Sequence, residues 1–554
     1  MKRAASLGHA PVQHWSADGL FRVSALREIE AQALAHTGPG ELMARAGDAV
    51  AQVCAARLRT LPPRTPVLAL IGTGNNGGDA LLAAYRLAEW GWSVRAIALT
   101  PDASWPVDAA RVMTQWRTAR RSLEPLDALG EALAGRPLII DGLFGVGTSR
   151  PLDAQAAALV RAVQAAALPV IAVDVPSGLN ADTGAILGGA SGAAIQAEIT
   201  VSLLVDKPGL HTGMGREHAG RVVHADLGLH ALAIAPPRAH RTGDLAARMG
   251  RLIGEREALS SLRPRPPGAH KGLFGNLVVV KGDPAMQGAA RLALLGAQAM
   301  GVGRLYLAAA EPGLESIDPP EAMHRRIDPA AGDGLGMYGE ADALVIGCGL
   351  GQSPAARLRL ACALDHPAAL LIDADGLNLI AQDPLHREAL RQRSEQTRAT
   401  VLTPHPLEAA RLLGSSVQAV QEDRIDATCC LARQTGAVVV LKGAGTVVAS
   451  PQGAWSLHPQ GGPLLAVAGT GDVLAGTLGS ALAQGLAPLD AARLAVWLHG
   501  TAADALAAQP EWSAGIGLPA SRLPEAIRIC LNQRFGRLQS EASGHSGPPD
   551  SYRA

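Results

Sequence analysis

Two glycine-rich segments constrain this chain more than any other feature. Residues 72–79 read GTGNNGGD, and residues 468–476 read AGTGDVLAG. Each segment lies between an apolar or small-residue run and a helix-like stretch. In each, an aspartate follows the glycines. Backbone amides at such a helix start favour anions, so each loop can hold a phosphate beside a carboxylate that handles a proton or a cation. The pair predicts two nucleotide-handling sites in one chain.

The composition predicts a globular protein without a nucleic-acid partner. With 554 residues, the chain exceeds what one hydrophobic core usually serves, which favours two large domains. Lys+Arg and Asp+Glu are equal at 49 each, so there is no basic excess to attract nucleic acid. The cysteines show no CxxC spacing, and no apolar run has the length of a signal peptide or a membrane span. We expect a cytoplasmic protein with no membrane partner, and the sequence leaves self-association open.

Short apolar runs alternate with helix-like stretches along both halves of the chain. After a helical region at 22–59, the runs of the first half are 67–71, 94–99, 138–140, 170–173, 200–205 and 222–225; those of the second half are 277–280, 304–307, 343–346, 369–372, 400–402, 438–441 and 446–449. This rhythm is typical of mainly parallel α/β sheets covered by helices on both faces. The sequence therefore predicts an α/β protein whose N-terminal domain has a Rossmann-like, doubly wound sheet.

Composition also predicts where the domains begin and end. Residues 236–265 are rich in Pro, Arg and Gly, which indicates a linker, and we expect a short helix at 246–252 inside it. The first domain is then 1–235 and the second 266–538. The polar residues 539–554 are predicted to form a flexible tail.

The first glycine-rich loop matches the GxGxxG pattern of dinucleotide-binding folds, but an expected acid is missing. That pattern requires an acidic residue at the end of the next strand to bind a ribose. The next run is followed by Thr100-Pro101-Asp102, which places the acid too late. A redox dehydrogenase is therefore disfavoured.

Two further loops follow predicted strands in the first half: DGLFGVG at 141–147 and DVPSGLN at 174–180. Loops at the carboxyl ends of strands in a doubly wound sheet converge on one crevice. The three loops would bring together Asn76, Asp79, Asp141, Asp174 and Ser177. Their oxygen atoms suit a hard cation, and no His or Cys accompanies them to recruit zinc. For one loop alone, helix capping and tight turns would explain the residues better, but three matching loops favour a site.

These motifs, together with NAD at 180–182 and KPGL at 207–210, resemble the epimerase domain of the NAD(P)H-hydrate repair enzymes. The resemblance implies a potassium site made by Asn76, Asp141 and Ser177, and a pocket for the hydrated nucleotides NADHX and NADPHX. It also implies substrate contacts from Asn75, Asn76, Gly77, Gly78, Asp79, Gly145, Val146, Gly147, Thr148, Ser149, Arg150, Pro151 and Asp174. From this family position we predict that Asp174 is the catalytic acid/base. Whether the ring opens or the hydroxyl leaves and returns stays open.

The second half carries its own set of loops at predicted strand ends. They are HKG at 270–272, GD at 282–283, GCGLG at 347–351, DADGLN at 373–378, TPHPLE at 403–408, KGAGT at 442–446 and GTGD at 469–472. No GxxxxGK[ST] motif is present, so this half is not a P-loop enzyme. The amides of the last loop can face a phosphoryl group, and Asp472 can accept the proton of a substrate hydroxyl.

This set resembles the ribokinase-like fold and, more narrowly, the ADP-dependent NAD(P)H-hydrate dehydratase domain. The resemblance implies phosphoryl transfer from ADP, with Mg2+, to the C6 hydroxyl of the hydrate, followed by elimination to NAD(P)H, AMP and phosphate. The implied hydrate contacts are Ala290, Gly349, His405 and the catalytic Asp472. The implied nucleotide contacts are Lys442, Gly443, Ala444, Gly445, Thr446 and Gly471. The family commonly has glycine where Leu407 stands, which puts the local loop shape in question.

The sequence also leaves open two alternatives to the repair of hydrated cofactors. The first is a small-molecule kinase of the hydroxymethylpyrimidine type fused to a binding module, against which the HKG and TPHP motifs argue. The second is a non-catalytic scaffold for the first domain, as in a related domain of mRNA-decapping assemblies. Retention of Asp79, Asp141 and Asp174 argues against that scaffold. The order of the domains fits repair, because hydration gives two C6 epimers and a stereospecific dehydratase wastes one unless an epimerase interconverts them.

Overall fold

The computed structural model describes residues 19–101, 103–228, 248–309, 319–327 and 333–542. The chain divides into two compact units, Met1–Met249 and Gly250–Ala554, called here the first and the second unit. Within the described ranges, no helix is both long enough and apolar enough to cross a membrane.

The first unit contains seven strands and seven helices among its described residues. The strands are β1 (Gly19–Phe21), β2 (Val67–Ile71), β3 (Val94–Ala98), β4 (Leu138–Gly142), β5 (Val170–Val173), β6 (Ile199–Leu203) and β7 (Arg221–Ala225). The helices are α1 (Val23–His36), α2 (Glu41–Leu58), α3 (Asn75–Glu89), α4 (Val107–Thr118), α5 (Leu129–Ala134), α6 (Ala154–Ala165) and α7 (Gly215–His218).

The sheet of the first unit has the strand order β3-β2-β4-β5-β6-β7, and every neighbouring pair is parallel. Side chains of β2 alternate between two apolar layers: Val67, Ala69 and Ile71 pack on one face, Leu68 and Leu70 on the other. The predicted doubly wound sheet is confirmed. Because the chain runs outward in opposite directions from β2 and β4, the crevice between their carboxyl ends is the place where such folds bind ligands.

The second unit begins at a strand that lies in the predicted linker. Its strands are β8 (Met249–Leu252), β9 (Asn276–Val280), β10 (Arg304–Ala309), β11 (Met323–Arg326), β12 (Ala343–Ile346), β13 (Ala369–Ile372), β14 (Thr400–Leu402), β15 (Val438–Leu441), β16 (Thr446–Ala449) and β17 (Trp455–His458). Its helices are α8 (Glu255–Leu259), α9 (Gln287–Met300), α10 (Gly334–Tyr338), α11 (Pro354–Asp365), α12 (Ala374–Gln382), α13 (Pro384–Glu395), α14 (Pro406–Leu413), α15 (Val417–Glu422), α16 (Arg424–Thr435), α17 (Thr470–Ala483), α18 (Pro488–Ala507) and α19 (Leu523–Ala542).

Those strands form a mainly parallel sheet in the order β8-β17-β16-β15-β14-β13-β12-β9-β10-β11. The pairs from β15 through β9 to β11 are parallel, whereas β16 is antiparallel to both of its neighbours. One large apolar core lies between this sheet and helices α9, α17 and α18. The predicted α/β class is confirmed for this half as well.

Two local predictions about the chain between and after the domains were wrong. Residues 249–252 of the expected helix at 246–252 form strand β8 instead, because Arg251 and Leu252 pair with β17, and sheet pairing overrides the local helical spacing. The predicted tail begins too early, since α19 continues to Ala542. Residues 543–554 and 229–247, which include the first part of the predicted linker (236–247), lie outside the described residues.

Helices α9 and α17 touch along their backbones through two glycines. A Cβ atom on Gly476 would lie 1.8 Å from the carbonyl oxygen of Ala293, and one on Gly296 would lie 2.3 Å from that of Val473. Such distances leave no room for any side chain. This contact fixes the start of α17, where Asp472 lies.

We expect Gly476→Ala to destabilise the second unit by about 1–3 kcal/mol, because the added methyl group clashes with backbone. Helix propensity alone would favour alanine by about 1 kcal/mol, so the sign of the change separates the two effects. Gly536→Ala is the matched control, since Gly536 lies in helix α19 with open space around its Cα. Pulsed hydrogen exchange in urea, read on peptides of α17, measures both changes. Unchanged or increased stability of Gly476→Ala would refute the close contact.

Candidate functional site

A cavity of about 490 Å³ lies in the first unit at the carboxyl ends of β2, β4 and β5. Its lining includes members of all three predicted loops, namely Asn75, Asn76, Asp79, Gly145, Val146, Gly147, Thr148 and Asp174. Helices α1 and α2 contribute further wall residues, among them Leu26, Glu30 and Met43. The structure therefore brings these predicted substrate contacts together.

The remaining predicted substrate contacts lie beside this cavity. Gly77 and Gly78 are in the first turn of α3, where a Cβ would lie 1.9 Å from the carbonyl oxygen of Gly72 and 2.8 Å from Cε of Met43, respectively. Ser149, Arg150 and Pro151 line a second, more open cavity of about 500 Å³ that shares Phe144, Gly147 and Thr148 with the first.

Asp174 follows β5 directly and is held by a buried ion pair. Its Oδ1 atom accepts a hydrogen bond from Nζ of Lys207, a side chain with no exposed surface, and another from the amide of Leu203 at 3.2 Å. Lys207 also donates to the carbonyl oxygen of Leu203 at 2.6 Å. The backbone of Asp174 is left-handed, with φ of 66°, which is uncommon for a residue other than glycine. The carboxylate is thus fixed at the cavity wall by groups from β6 and the segment after it.

Asp141 and Ser177 form a buried hydrogen-bonded pair behind the cavity. The Oδ1 atom of Asp141 accepts from Oγ of Ser177 at 2.6 Å, and its Oδ2 atom accepts from the Ser177 amide at 2.8 Å. Burial raises the pKa of Asp141 to about 6, although these hydrogen bonds act to lower it.

The third predicted potassium ligand, Asn76, has an unused acceptor. Its Nδ2 group donates to the carbonyl oxygen of Phe144 at 2.9 Å, whereas its buried Oδ1 atom has no hydrogen-bond partner among the residues that the structure describes. A Cβ atom on Gly145 would lie 3.1 Å from that oxygen, so the glycine leaves space beside it. A buried carbonyl oxygen without a donor is the kind of atom that a hard cation satisfies.

Sequence reasoning missed two charged residues of this site. Lys207 stands in the KPGL motif but received no role, and Glu30 of α1 lines the cavity without belonging to any motif. Nothing in the sequence singles out Glu30 among the acids of α1, because only the docking of the helix on the cavity selects it. The sequence around Lys207 does carry a signal, because a lysine in a glycine- and leucine-rich segment that is buried requires an anionic partner.

The candidate site of the second unit lies around Asp472, in the first turn of α17. Side-chain ligand atoms of Cys348, Asp373 and Asp472 all lie within 4.8 Å of one another. Burial, reinforced by the charge of Asp373, raises the pKa of Asp472 to about 6. Burial and the two carboxylates also raise the pKa of Cys348 well above its usual value, so its thiol keeps its proton.

Lys442 connects this cluster with the predicted nucleotide loop between β15 and β16. Its Nζ atom donates to Oδ1 of Asp373 at 2.6 Å, and a Cβ on Gly471 would lie 3.4 Å from that Nζ atom. The buried guanidinium of Arg424 donates to the carbonyl oxygens of Leu441 and Lys442 at 3.3 and 3.1 Å. Arg424 therefore fixes the loop backbone from its buried side, while Gly443 and Ala444 are exposed.

His405 caps helix α14 and keeps one ring nitrogen near Glu408. Its Nδ1 atom accepts from the amides of Leu407 and Glu408 at 3.1 and 3.3 Å, and its Nε2 atom lies 3.1 Å from Oε1 of Glu408. Burial acts to raise the pKa of Glu408, but the hydrogen bonds from His405 and the charge of Lys442 together lower it. Leu407 lies in the first turn of the helix with an exposed side chain, a position that does not need glycine.

Two predicted hydrate contacts have different surroundings. Gly349 has a φ of 64°, and its carbonyl oxygen accepts from the amide of Asp283 at 2.9 Å, so it joins the loops after β12 and β9. Ala290 is 3% exposed and belongs to the apolar core under α9. Its contact with substrate stays a prediction.

The comparison with known families matches both units. A family described as YjeF-related protein N-terminus matches residues 39–209, and one described as NAD(P)H-hydrate dehydratase matches residues 277–527. The chain is similar to the bifunctional NAD(P)H-hydrate repair enzyme Nnr of Escherichia coli (strain K12), with 34% identity over 516 residues and 92% of each chain covered. It is 33% identical to the Nnr enzyme of Coxiella burnetii over 520 residues, which covers 93% of this chain and 99% of that one.

A solved structure is similar to part of the chain. It is the ADP/ATP-dependent NAD(P)H-hydrate dehydratase from Bacillus subtilis co-crystallized with ATP/Mg2+, 31% identical, with a TM-score of 0.44. The match covers 51% of this chain and 98% of that one.

Proposed function

This chain belongs to the family of bifunctional NAD(P)H-hydrate repair enzymes, and we propose how its two units divide the work. The first unit epimerises hydrated NADH and NADPH, and the second dehydrates the S epimer to NAD(P)H with ADP as phosphoryl donor. The observation that carries the proposal is that a buried aspartate directly follows a strand in each unit, Asp174 after β5 and Asp373 after β13, with Asp472 beside Asp373. The substrates are therefore NADHX, NADPHX and ADP. A cytoplasmic location and the absence of a nucleic-acid partner remain predictions from composition.

In the first unit, Asp174 is the acid/base at the hydrated ring. Its carboxylate lines a cavity of about 490 Å³, whose other walls include Asn75, Gly145 and Gly147 of the glycine-rich loops. Lys207 holds the carboxylate in place from the buried side, so that Asp174 keeps one orientation while substrate binds. The amides at the start of α3 favour the substrate phosphates.

Potassium is proposed to bind between Asn76, Asp141 and Ser177. These residues fit the ion, because all three offer oxygen and no donor from the described part of the chain reaches the Oδ1 atom of Asn76. When bound, potassium would supply positive charge beside the loops after β2 and β4. The three side chains would hold these loops together around the substrate.

We expect epimerisation to require potassium and to weaken when one of its oxygens is removed. Ser177→Ala should raise the potassium concentration for half-maximal epimerisation about tenfold, whereas Ser191→Ala at an exposed position of the same unit should not. The potassium dependence is measured from the interconversion of separated NADHX epimers in potassium or tetramethylammonium salts, with chromatography to quantify the epimers. Equal rates in both salts would remove potassium from the proposal.

In the second unit, Asp472 accepts the proton of the C6 hydroxyl as the β-phosphoryl group of ADP is transferred to that oxygen. Elimination of phosphate then restores the dihydropyridine ring, with AMP as the other product. The amides of Gly471 and its neighbours, together with Lys442, oppose the charge that develops on the phosphoryl group. His405, with its ring fixed by the α14 amides, would contact the hydrate.

Mg2+ fits the donor set of this second site. The buried Asp373 offers a carboxylate oxygen beside Asp472, and the protonated thiol of Cys348 adds no soft ligand. Mg2+ is commonly held by one or two carboxylates plus substrate phosphates and waters. When bound with the nucleotide, it would neutralise phosphate charge.

We expect complete recovery of NADH absorbance when the protein acts on mixed NADHX epimers with ADP. Asp174→Asn should stop recovery near the fraction of one epimer, because only the dehydratase still works. The same assay with ATP in place of ADP measures the donor preference. No recovery with either nucleotide would instead favour the hydroxymethylpyrimidine-type kinase, and full recovery by Asp174→Asn would revive the non-catalytic scaffold.

The dehydratase rate should fall as the pH drops below about 6. A general base works only when ionised, and the raised pKa of Asp472 places its protonation near this value. Asp472→Asn should lower the rate by about 10²–10⁴-fold. Asp490→Asn, which alters a half-exposed acid in the first turn of α18, should leave both the rate and its pH dependence unchanged. A rate that stays constant from pH 7 to 5 would contradict the role of Asp472.

A further inference from the structure

Four acidic residues from different elements line the cavity of the first unit: Glu30 on α1, Asp79 on α3, Asp108 on α4 and Asp174 after β5. Asp108 forms an ion pair with Arg111 at 3.0 Å. The Oδ1 atom of Asp174 accepts hydrogen bonds from Lys207 and from the Leu203 amide, as described above. No hydrogen bond or ion pair reaches the carboxyl groups of Glu30 and Asp79 from the part of the chain that the structure describes.

These surroundings act on the pKa of Glu30 and on that of Asp79. Burial and the negative charge of Asp174 raise the pKa of Glu30, while the positive charges of Arg27 and Lys207 limit that rise. Burial and both neighbouring acids raise the pKa of Asp79 well above its usual value. Carboxyl groups whose environments push their pKa values apart are the usual basis for assigning an acid and a base.

Epimerisation at C6 needs both kinds of group. If the hydroxyl leaves, it needs a proton; when water returns to the other face, a proton must be removed. Asp174, paired with a buried lysine, is suited to accept that proton. A second group that holds a proton before the reaction is still required.

We propose that Glu30 is the second catalytic residue of the epimerase unit and protonates the departing C6 hydroxyl; this rests on the proposed epimerase function. The Glu30 carboxyl transfers its proton to the hydroxyl oxygen, the C6–O bond breaks, and the lone pair of the ring nitrogen forms a C=N bond as water leaves. Water then adds to C6 from the other face, the C=N electrons return to nitrogen, and Asp174 takes the proton. Exchange of one proton with solvent restores both carboxyl groups, so no oxidant or reductant is consumed.

Glu30 is better suited to this role than Asp79. A proton donor must release and recover its proton near neutral pH. The charges of Arg27 and Lys207 act to lower the pKa of Glu30 against its burial, whereas burial and the charges of Asp174 and Glu30 all raise the pKa of the more deeply buried Asp79. Glu30 also has the longer side chain and is only half-buried, so that it can follow a leaving oxygen.

The test uses the full chain and separated NADHX epimers. Glu30→Gln should lower kcat for epimerisation about 100-fold with little change in KM, and Glu30→Asp should restore part of it. Dehydration of the S epimer with ADP should stay at the wild-type rate in both variants. Glu28→Gln is the control on the same helix, because Glu28 pairs with Arg248 and does not line the cavity. In H₂¹⁸O, the wild type should place ¹⁸O on C6 at the rate of epimerisation.

The outcomes separate this inference from the function on which it rests. Wild-type epimerisation by Glu30→Gln would overturn the role of Glu30 and leave the epimerase function intact. Epimerisation without ¹⁸O incorporation would overturn the step as written, because a ring-opening route keeps the original oxygen. Absence of epimerisation in the wild type, with dehydration present, would instead refute the epimerase function itself. An equal loss in Glu28→Gln and Glu30→Gln would show that α1 was disturbed as a whole and would also overturn the assignment.

Discussion

A lysine–aspartate ion pair fixes a carboxylate at a strand end in each of the two sites; the lysine is fully buried in the first unit and partly exposed in the second. In the first unit, Lys207 holds Asp174 at the end of β5; in the second, Lys442 holds Asp373 at the end of β13. Removing two charges from water costs several kcal/mol per ion, which is recovered only when the geometry is good and further hydrogen bonds are made. Each lysine follows another strand of the same sheet, so the sheet register sets that geometry. Loss of one partner would leave the other charge buried alone.

Close backbone approach is the second requirement, and glycine provides it at both sites. A Cβ on Gly72 would lie 1.8 Å from the carbonyl oxygen of Leu143, which shows how tightly the loops after β2 and β4 meet. In the second unit, Gly476 does the same for helices α9 and α17. The glycine-rich loops therefore serve two purposes. They expose amides to an anion, and they let neighbouring elements come close enough to shape the cavity.

Both units then use burial to change the protonation of acids near the proposed chemistry. Glu30 and Asp79 in the first unit and Asp472 in the second all have a raised pKa, with burial as the largest cause in each case. The neighbouring acids add to the rise, and the lysines of the two ion pairs limit it for Glu30 and Asp472. The same buried cation thus orients one carboxylate and adjusts the proton affinity of another.

By itself, the sequence determined the two α/β units and the loops that carry the chemistry. The spacing of the apolar runs indicates which segments form buried strands. Motifs such as GTGNNGGD and AGTGDVLAG identify the glycine-rich loops. The order of strands, the strand β8 and the longer helix α19 needed the tertiary structure, because sheet pairing and docking on the core override local propensity. The same holds for the partners of the predicted residues. Three examples are the contact of Lys207 with Asp174, the position of Cys348 beside Asp472, and the position of Glu30 at the epimerase cavity. Each depends on contacts between separate segments of the chain, which no local pattern encodes.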